Sequence, residues 1–390
     1  GTGSDGTAGL IEVRTAGGLA IAQSRGTAQY DGMPGSAVES GAADLELPPE
    51  EMGAVIAHLA GLLPKGRHAA THANASFAAV VEAVEAYTGV RLSQYKPATV
   101  ERRIRRRMSL KRLAAVDDYL ALVTSEPAEA HELVKDVFIG VTEFFRDLDS
   151  FLALQARLKN LFAERTAARD TVRIWVAGCS TGQEAYTVAM VAEEARLAAG
   201  HGSYQIFATD ISARAVEIAR RGVYGAEAAE QIPASFLAAY FTADRGRYQA
   251  KPVIRDRILF SVQDLAKDPP FARLDLVTCR NVLIYFNTAL QDRTMAMLNY
   301  ALQPDGLLML GRSEGGQRWP HYFAEVDATH RFYRSLVASD SARTAARVAH
   351  LSAEKAANIA RRPPASETET IRRLVLEKCA SLVATCAVAV

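Results

Sequence analysis

Five short apolar runs constrain the fold of this chain more than any other feature. They are "VRIWVAG", "YQIFATD", "ILFSVQDL", "LDLVTC" and "GLLMLG", and all lie between Val172 and Gly311. Runs of this length suit buried strands, and the segments between them, such as Gln183 to Ala199 and Ala213 to Arg220, read as helices. Strands alternating with helices predict an α/β domain on a parallel sheet with helices on both faces. One stretch breaks the alternation. Between Tyr224 and Phe260, "FTADRGRYQAKPVIRDRILF" reads as a small antiparallel β subdomain inserted into the α/β domain.

Upstream the pattern changes. From Phe77, Val80, Val81 and Val84 to about Phe138, apolar residues recur in three- and four-residue steps without strand-like alternation, which predicts a small all-α domain over 76–138. Asn74 is the expected cap of its first helix. Residues 64–75, "PKGRHAATHANA", are small and polar and read as a linker. Residues 1–63 read as turn, short apolar run, turn and a helix from Pro49 to Leu63, too short a span to close a core alone. The α/β domain is expected over 139–336. Beyond it, 337–390 reads as an Ala- and Ser-rich linker and the apolar start of a further unit.

Composition narrows the class of function. The 390 residues carry a net charge of +1, so nothing global favours nucleic acid or an anionic membrane as partner. No apolar run approaches the roughly 20 residues of a membrane span, and no signal peptide opens this sequence. Cys179, Cys279, Cys379 and Cys386 show neither metal-site spacing nor the density of a disulfide scaffold. A reducing cytoplasm is the expected compartment.

The chemistry gathers at strand ends. "VRIWVAGCSTGQEAYT" runs a strand through a Gly178–Gly182 turn into a helix, and glycine there lets backbone approach a ligand closely. "YQIFATDIS" ends in Asp210, where a carboxylate can accept from both hydroxyls of a ribose. The turn is G-x-x-x-G rather than G-x-G-x-x-G, which suits S-adenosylmethionine, a nucleoside without phosphate, better than a dinucleotide. "VTEFFRD" adds Arg146, "VQDL" adds Asp264 and Leu265, and "TCRNVLIYFN" adds Arg280, Asn281 and Tyr285. Each has a structural alternative: Arg146 paired with a surface carboxylate, Asn281 as a turn residue, Tyr285 as core. Their arrival at successive strand ends favours one crevice.

In this order, "TEFFRD", "AGCSTGQEAYT", "ATDIS", "CRNVLIYF" and "LQPDGLLMLGRSE" closely resemble the CheR-type chemotaxis receptor methyltransferases over about Ser76 to Leu336. The resemblance implies a Rossmann-like S-adenosylmethionine-dependent methyltransferase domain behind a helical domain. It implies methyl transfer to glutamate side chains of chemoreceptor cytoplasmic helices, giving methyl esters and S-adenosylhomocysteine, with no metal. Carried over by motif, Thr142, Arg146, Gly178, Glu184, Asp210, Asp264, Leu265, Arg280 and Asn281 bind the cofactor, and Arg146 and Tyr285 stand at the methyl-transfer centre. Many relatives have Asn at the position of Gly140. A glutamate is already ionised at neutral pH, so no general base is needed.

"TVERRIRRRMSLKR" places Arg102, Arg103, Arg105, Arg106 and Arg107 on one helix, read as a docking surface for an acidic receptor rather than a solvated face or a nucleic-acid site. Some relatives carry a glycine-rich insertion in the antiparallel subdomain that captures a receptor's C-terminal peptide. It is lacking here, so no strong binding to such a peptide is expected. A non-catalytic cofactor-binding scaffold and a nucleic-acid methyltransferase are the competing readings. The opening "GTGSDGTAGL", with "GGLAIAQSRGTAQYDGMPGSAV", resembles the last part of a CheB-type protein-glutamate methylesterase. That resemblance makes Asp5 the acid of a Ser-His-Asp triad whose Ser and His have no counterpart here, so esterase activity is not expected.

Overall fold

The computed structural model describes residues 6–15, 18–61, 69–138, 142–165 and 171–336. Asp5 and Gly140 lie outside them, as does the expected linker and further unit from residue 337 onward. No helix among the described residues is long and apolar enough to cross a membrane.

The N-terminal segment contains α1 (Thr7–Thr15), β1 (Ile21–Gln23), α2 (Gly32–Glu39), β2 (Leu45–Leu47) and α3 (Pro49–Gly61). Strands β1 and β2 pair in parallel, Ile21 opposite Leu45. Among its described side chains the fully buried apolar ones are Ala20, Ala22, Ala37 and Ala42, a thin core. Polar contacts do more: the Asp44 carboxylate accepts from the Ala20 amide at 2.8 Å and pairs with Arg14 at 2.9 Å.

Four helices follow, α4 (Ala69–Thr88), α5 (Pro97–Leu110), α6 (Val116–Ser125) and α7 (Pro127–Val137). Helix α4 begins at Ala69, so Asn74 lies within it rather than capping it, and residues 69–75 are helical rather than linker. Ala69, Ala70, Ala73 and Ala75 favour helix propagation, whereas a cap residue needs non-helical backbone. Pro97 and Pro127 start α5 and α7, where a missing N–H leaves no helical bond unmade. Val100, Ile104 and Met108, four residues apart, bury one seam of α5 against Val80, Val84, Leu133 and Tyr119. This core runs on through Trp175, Val277 and Leu298, so the helical domain covers one face of the sheet.

The α/β domain begins with α8 (Leu148–Glu164), β3 (Thr171–Ala177), α9 (Gln183–Ala199), β4 (Ser203–Asp210) and α10 (Ala213–Arg221). The inserted part holds β5 (Val223–Tyr224), α11 (Glu227–Gln231), α12 (Ala234–Tyr240), β6 (Phe241–Asp244), β7 (Arg247–Ala250) and α13 (Pro252–Arg255). Then come β8 (Ile258–Val262), β9 (Leu274–Cys279), α14 (Thr288–Ala301), β10 (Leu302–Leu310), β11 (Phe323–Asp327) and β12 (Phe332–Ser335). The seven-stranded sheet has the order β11-β12-β10-β9-β3-β4-β8, and all five apolar runs become its parallel strands. Strands β5, β7 and β6 form the separate antiparallel sheet, while the last residues of the inserted stretch, Ile258 to Phe260, join the main sheet as β8.

Strands β11 and β12 close the sheet antiparallel to β10. They are short and mixed in polarity, "FAEVD" and "FYRS", so no apolar run announced them. The other face is packed by α8 and α9, through Phe151, Leu154 and Leu158 against Val188, Val191, Ile174 and Ile206. From β3 the chain winds outward to β4 and β8, then returns to β9 on the other side. That reversal opens a crevice at the carboxyl ends of β3 and β9, where open α/β sheets bind ligands.

Candidate active site

The turn after β3 brings backbone close to that crevice. Gly178 has φ +79°, and a Cβ there would lie 2.4 Å from a methyl of Val282. The amides of Gly178 and Cys179 both donate to the Thr209 carbonyl, at 2.8 and 2.9 Å, tying the turn to β4. Asp210 ends β4 and accepts from the Ser180 amide on one oxygen and the Ser212 amide on the other, each at 2.8 Å. Burial pushes its carboxyl above the usual range, and these amide bonds pull against that rise. The carboxylate keeps lone pairs for ligand hydroxyls beside these amides.

Glu184, in the first turn of α9, accepts from the Thr278 hydroxyl at 2.6 Å and pairs with Arg280 at 3.4 Å. The same guanidinium donates to the Arg146 carbonyl at 2.8 Å and to Asp147 at 2.7 Å, and lies 4.7 Å from the centre of the Phe151 ring. With 2% of its side chain exposed, Arg280 fastens β9 to α9 and to the start of α8. It holds Asp147 at φ +65°. Arg146 therefore points into the crevice from an anchored backbone, and no hydrogen bond or ion pair joins its guanidinium to another described residue.

A second buried acid holds the opposite wall. The Glu314 carboxylate accepts from the Asn281 and Gly311 amides on one oxygen, at 2.8 and 2.9 Å. Its other oxygen accepts from the Val282 and Ile284 amides, at 2.9 and 3.3 Å. Burial raises its carboxyl above the usual range against the pull of these amides. Asn281 is held at φ +58°. The helical domain reaches the same loop: the Lys96 amide donates to the Tyr285 carbonyl at 2.9 Å, and Tyr95 meets Phe286 edge to face.

These walls enclose a cavity of about 260 Å³. Thr142 and Arg146 line it from before α8, Gly178 and Glu184 from the turn and α9, and Asp210, Asp264 and Leu265 from the ends of β4 and β8. Arg280, Asn281 and Tyr285 complete it, so all ten sequence-predicted residues of the α/β domain meet in one place. Asp264 also accepts from the Ala266 amide at 2.8 Å, which fixes its own turn. Gln263, Tyr95, Phe138 and Glu12 line the cavity too and had not been singled out. Gln263 was signalled by its place beside Asp264; the others arrive through contacts between distant segments. The residues fit S-adenosylmethionine: a glycine that admits close backbone, a carboxylate with free lone pairs for a ribose, and an acid opposite for an amino group. Among the described residues, no three His, Cys, Asp or Glu side chains cluster as a metal site requires.

The basic helix is not the open docking surface that its sequence predicted. Arg103 and Arg106 are 1% and 5% exposed, because α5 lies under the N-terminal segment and against α7. Arg106 pairs with Asp44 and Asp136, and Arg103 donates to the Arg14 carbonyl. Arg107 forms a bidentate pair with Glu129, both bonds at 2.7 Å. Arg105 is half-buried over the Phe77 ring, which leaves Arg102 as the exposed member of the five. Acids distant in sequence supply the counter-charges, so charge density along the helix overstated the free charge.

Comparison with known proteins agrees with this arrangement. Residues 140–332 match the family profile described as CheR methyltransferase, SAM binding domain, and residues 75–138 match CheR methyltransferase, all-alpha domain. Residues 1–56 match CheB methylesterase. The chain is 37% identical over 362 residues to an "Uncharacterized 104.1 kDa protein in hypE 3'region" of Rhodobacter capsulatus, covering 86% of this chain and 38% of that protein. It is 31% identical over 259 residues to Chemotaxis protein methyltransferase 2 of Pseudomonas aeruginosa, covering 65% of this chain and 91% of that protein. With Chemotaxis protein methyltransferase 1 of the same organism the identity is 30%, over 66% of this chain and 96% of the relative. Its crevice, its buried carboxylates and its helical cover are thus those of a chain that belongs to the CheR methyltransferase family, with a CheB methylesterase match at its N-terminal end.

Proposed function

We propose that the chain transfers a methyl group from S-adenosylmethionine to glutamate side chains of chemoreceptor cytoplasmic helices, in chemosensory adaptation within the cytoplasm. The observation that carries this reading is Arg146: a guanidinium with no hydrogen bond or ion pair to another described residue, in the cavity that Asp210 and Glu184 line. A cation in that position can take an acceptor carboxylate through two parallel hydrogen bonds. When bound, S-adenosylmethionine supplies an electrophilic methyl group on a sulfonium.

Asp210 accepts from the ribose hydroxyls in this reading, Glu184 receives the amino group, and Asp264 with Leu265 holds the adenine. Thr142, Gly178, Arg280 and Asn281 shape the cavity around them, and Tyr285 stands beside Arg146 at the transfer centre. Carboxylate and sulfonium neutralise each other as the methyl moves, so a poorly hydrated cavity that holds the two in line favours the reaction. No proton has to move. The two-residue turn between β6 and β7, Arg245 and Gly246, leaves no glycine-rich insertion there, so no strong binding of a receptor tether peptide is proposed.

The test is methyl-labelled cofactor with the cytoplasmic fragments of the host's receptors. Label released as methanol by mild base identifies a carboxyl ester and supports the reading. Base-stable label, label in nucleic acid, or cofactor binding without transfer to any receptor would overturn it.

A further inference from the structure

We infer that the N-terminal segment, residues 6–15 and 18–61, is a built-in cover of the acceptor entrance, and that Glu12 sets a negative charge where an incoming carboxylate must pass. The inference rests on the acidic acceptor proposed above. Glu12 is an exposed residue of α1, yet it lines the same cavity as Thr142, Arg146 and Tyr285. It brings a glutamate to the cavity that Arg146 also lines, and no ion pair joins the two side chains.

The segment is fastened by polar contacts. Two residues after Glu12, Arg14 gives its carbonyl to Arg103 and its guanidinium to Asp44, and Asp44 also pairs with Arg106. The Asp44 side chain is 1% exposed and that of Arg106 3%. Among the segment's described side chains the fully buried apolar ones are alanines, while Leu19, Ile21, Leu45 and Leu47 are half-buried. A cover held by a few ion pairs can open as a unit, and while it is closed the Glu12 charge at the cavity wall repels an incoming carboxylate. Acceptor binding is then weakened by the fraction of time that the cover is closed.

The experiment uses the full 390-residue chain, wild type, Glu12→Ala and Asp44→Asn, with a fluorescein-labelled helical peptide bearing glutamates at heptad spacing. With a cover closed nine-tenths of the time, the peptide Kd falls about tenfold in Asp44→Asn, and amide exchange over residues 18–47 rises. In Glu12→Ala the Kd falls in the same direction, and the change in methyl transfer falls on KM. An unchanged Kd in both variants, with exchange over 18–47 raised in Asp44→Asn, overturns the cover. If Asp44→Asn fails to fold, Glu12→Ala decides alone. Tighter peptide binding without methyl transfer leaves the cover standing and rejects the glutamate acceptor.

Discussion

Arg280 and Asp147 meet at 2.7 Å, joining the end of β9 to the residue that opens α8. Arg280 also touches Glu184, so one buried cation serves two acids on different helices. Replacing it by Met leaves Glu184 without its cation and Asp147 with only the exposed Arg312, at 3.1 Å. Arg280→Met is expected to lower the free energy of unfolding by about 3 kcal/mol, as for other pairs broken by removal of one partner. A denaturant titration measures this, and a loss under 0.5 kcal/mol would show that the pairing holds nothing.

Arg146 should behave differently. Its guanidinium has no described partner to lose, so Arg146→Ala is expected to leave the unfolding midpoint unchanged while kcat falls roughly a hundredfold or more. Cofactor affinity measured by calorimetry should change little. Equal losses in affinity and rate would defeat the positioning role.

The raised carboxyl of Asp210 gives a pH signature. Only its ionised form accepts from both ribose hydroxyls, so cofactor affinity should fall as pH drops through that raised value. Binding favours the ionised form, and affinity climbs with pH until the free protein has lost the proton, then levels off. For folding the sign is opposite: the native state holds the proton longer than the unfolded chain, so this group's contribution to stability falls as pH rises between the two values. Calorimetry between pH 4 and 8 on wild type and Asp210→Asn checks the first claim. A slope that survives the substitution would rule out Asp210 as its source.

Gly178 and Gly200 separate two effects of an added methyl. Both have positive φ, +79° and +78°, but only at Gly178 does a neighbour, Val282, lie in the way. Gly178→Ala and Gly200→Ala should each cost about 1 kcal/mol or more in backbone strain. Only Gly178→Ala should abolish cofactor binding. Retained binding in Gly178→Ala would mean that Val282 moves aside freely.

The sheet was legible because a parallel strand buried on both faces must be an apolar run. Strand β9, "LDLVTC", is buried at every residue. The hairpin of β11 and β12 escaped because short strands of mixed polarity carry no such run. The cavity was legible where a motif and a strand end coincide, as at Gly178, Asp210 and Asn281. Tyr95, Glu12 and the structural use of Glu314 were not, since each depends on which distant backbone comes to meet it. The arginines of α5 failed for the same reason: burial of Arg103 and Arg106 is decided by Arg14, Asp44 and Asp136.

Asp147, Ser180 and Asn281 all take left-handed backbone conformations, and all three stand at the cavity wall or at its anchors. Glycine would adopt those angles more easily and would keep the Ser180 and Asn281 amides that bind Asp210 and Glu314, but it would remove side chains that line the cavity or anchor it. Stability selection on this domain would therefore drift first toward glycine at Ser180 and Asn281, while Asp147 is kept by its pair with Arg280. A thermostabilised descendant would keep its sheet and helices intact while its crevice lost shape. Melting temperature is a poor proxy for competence in this fold.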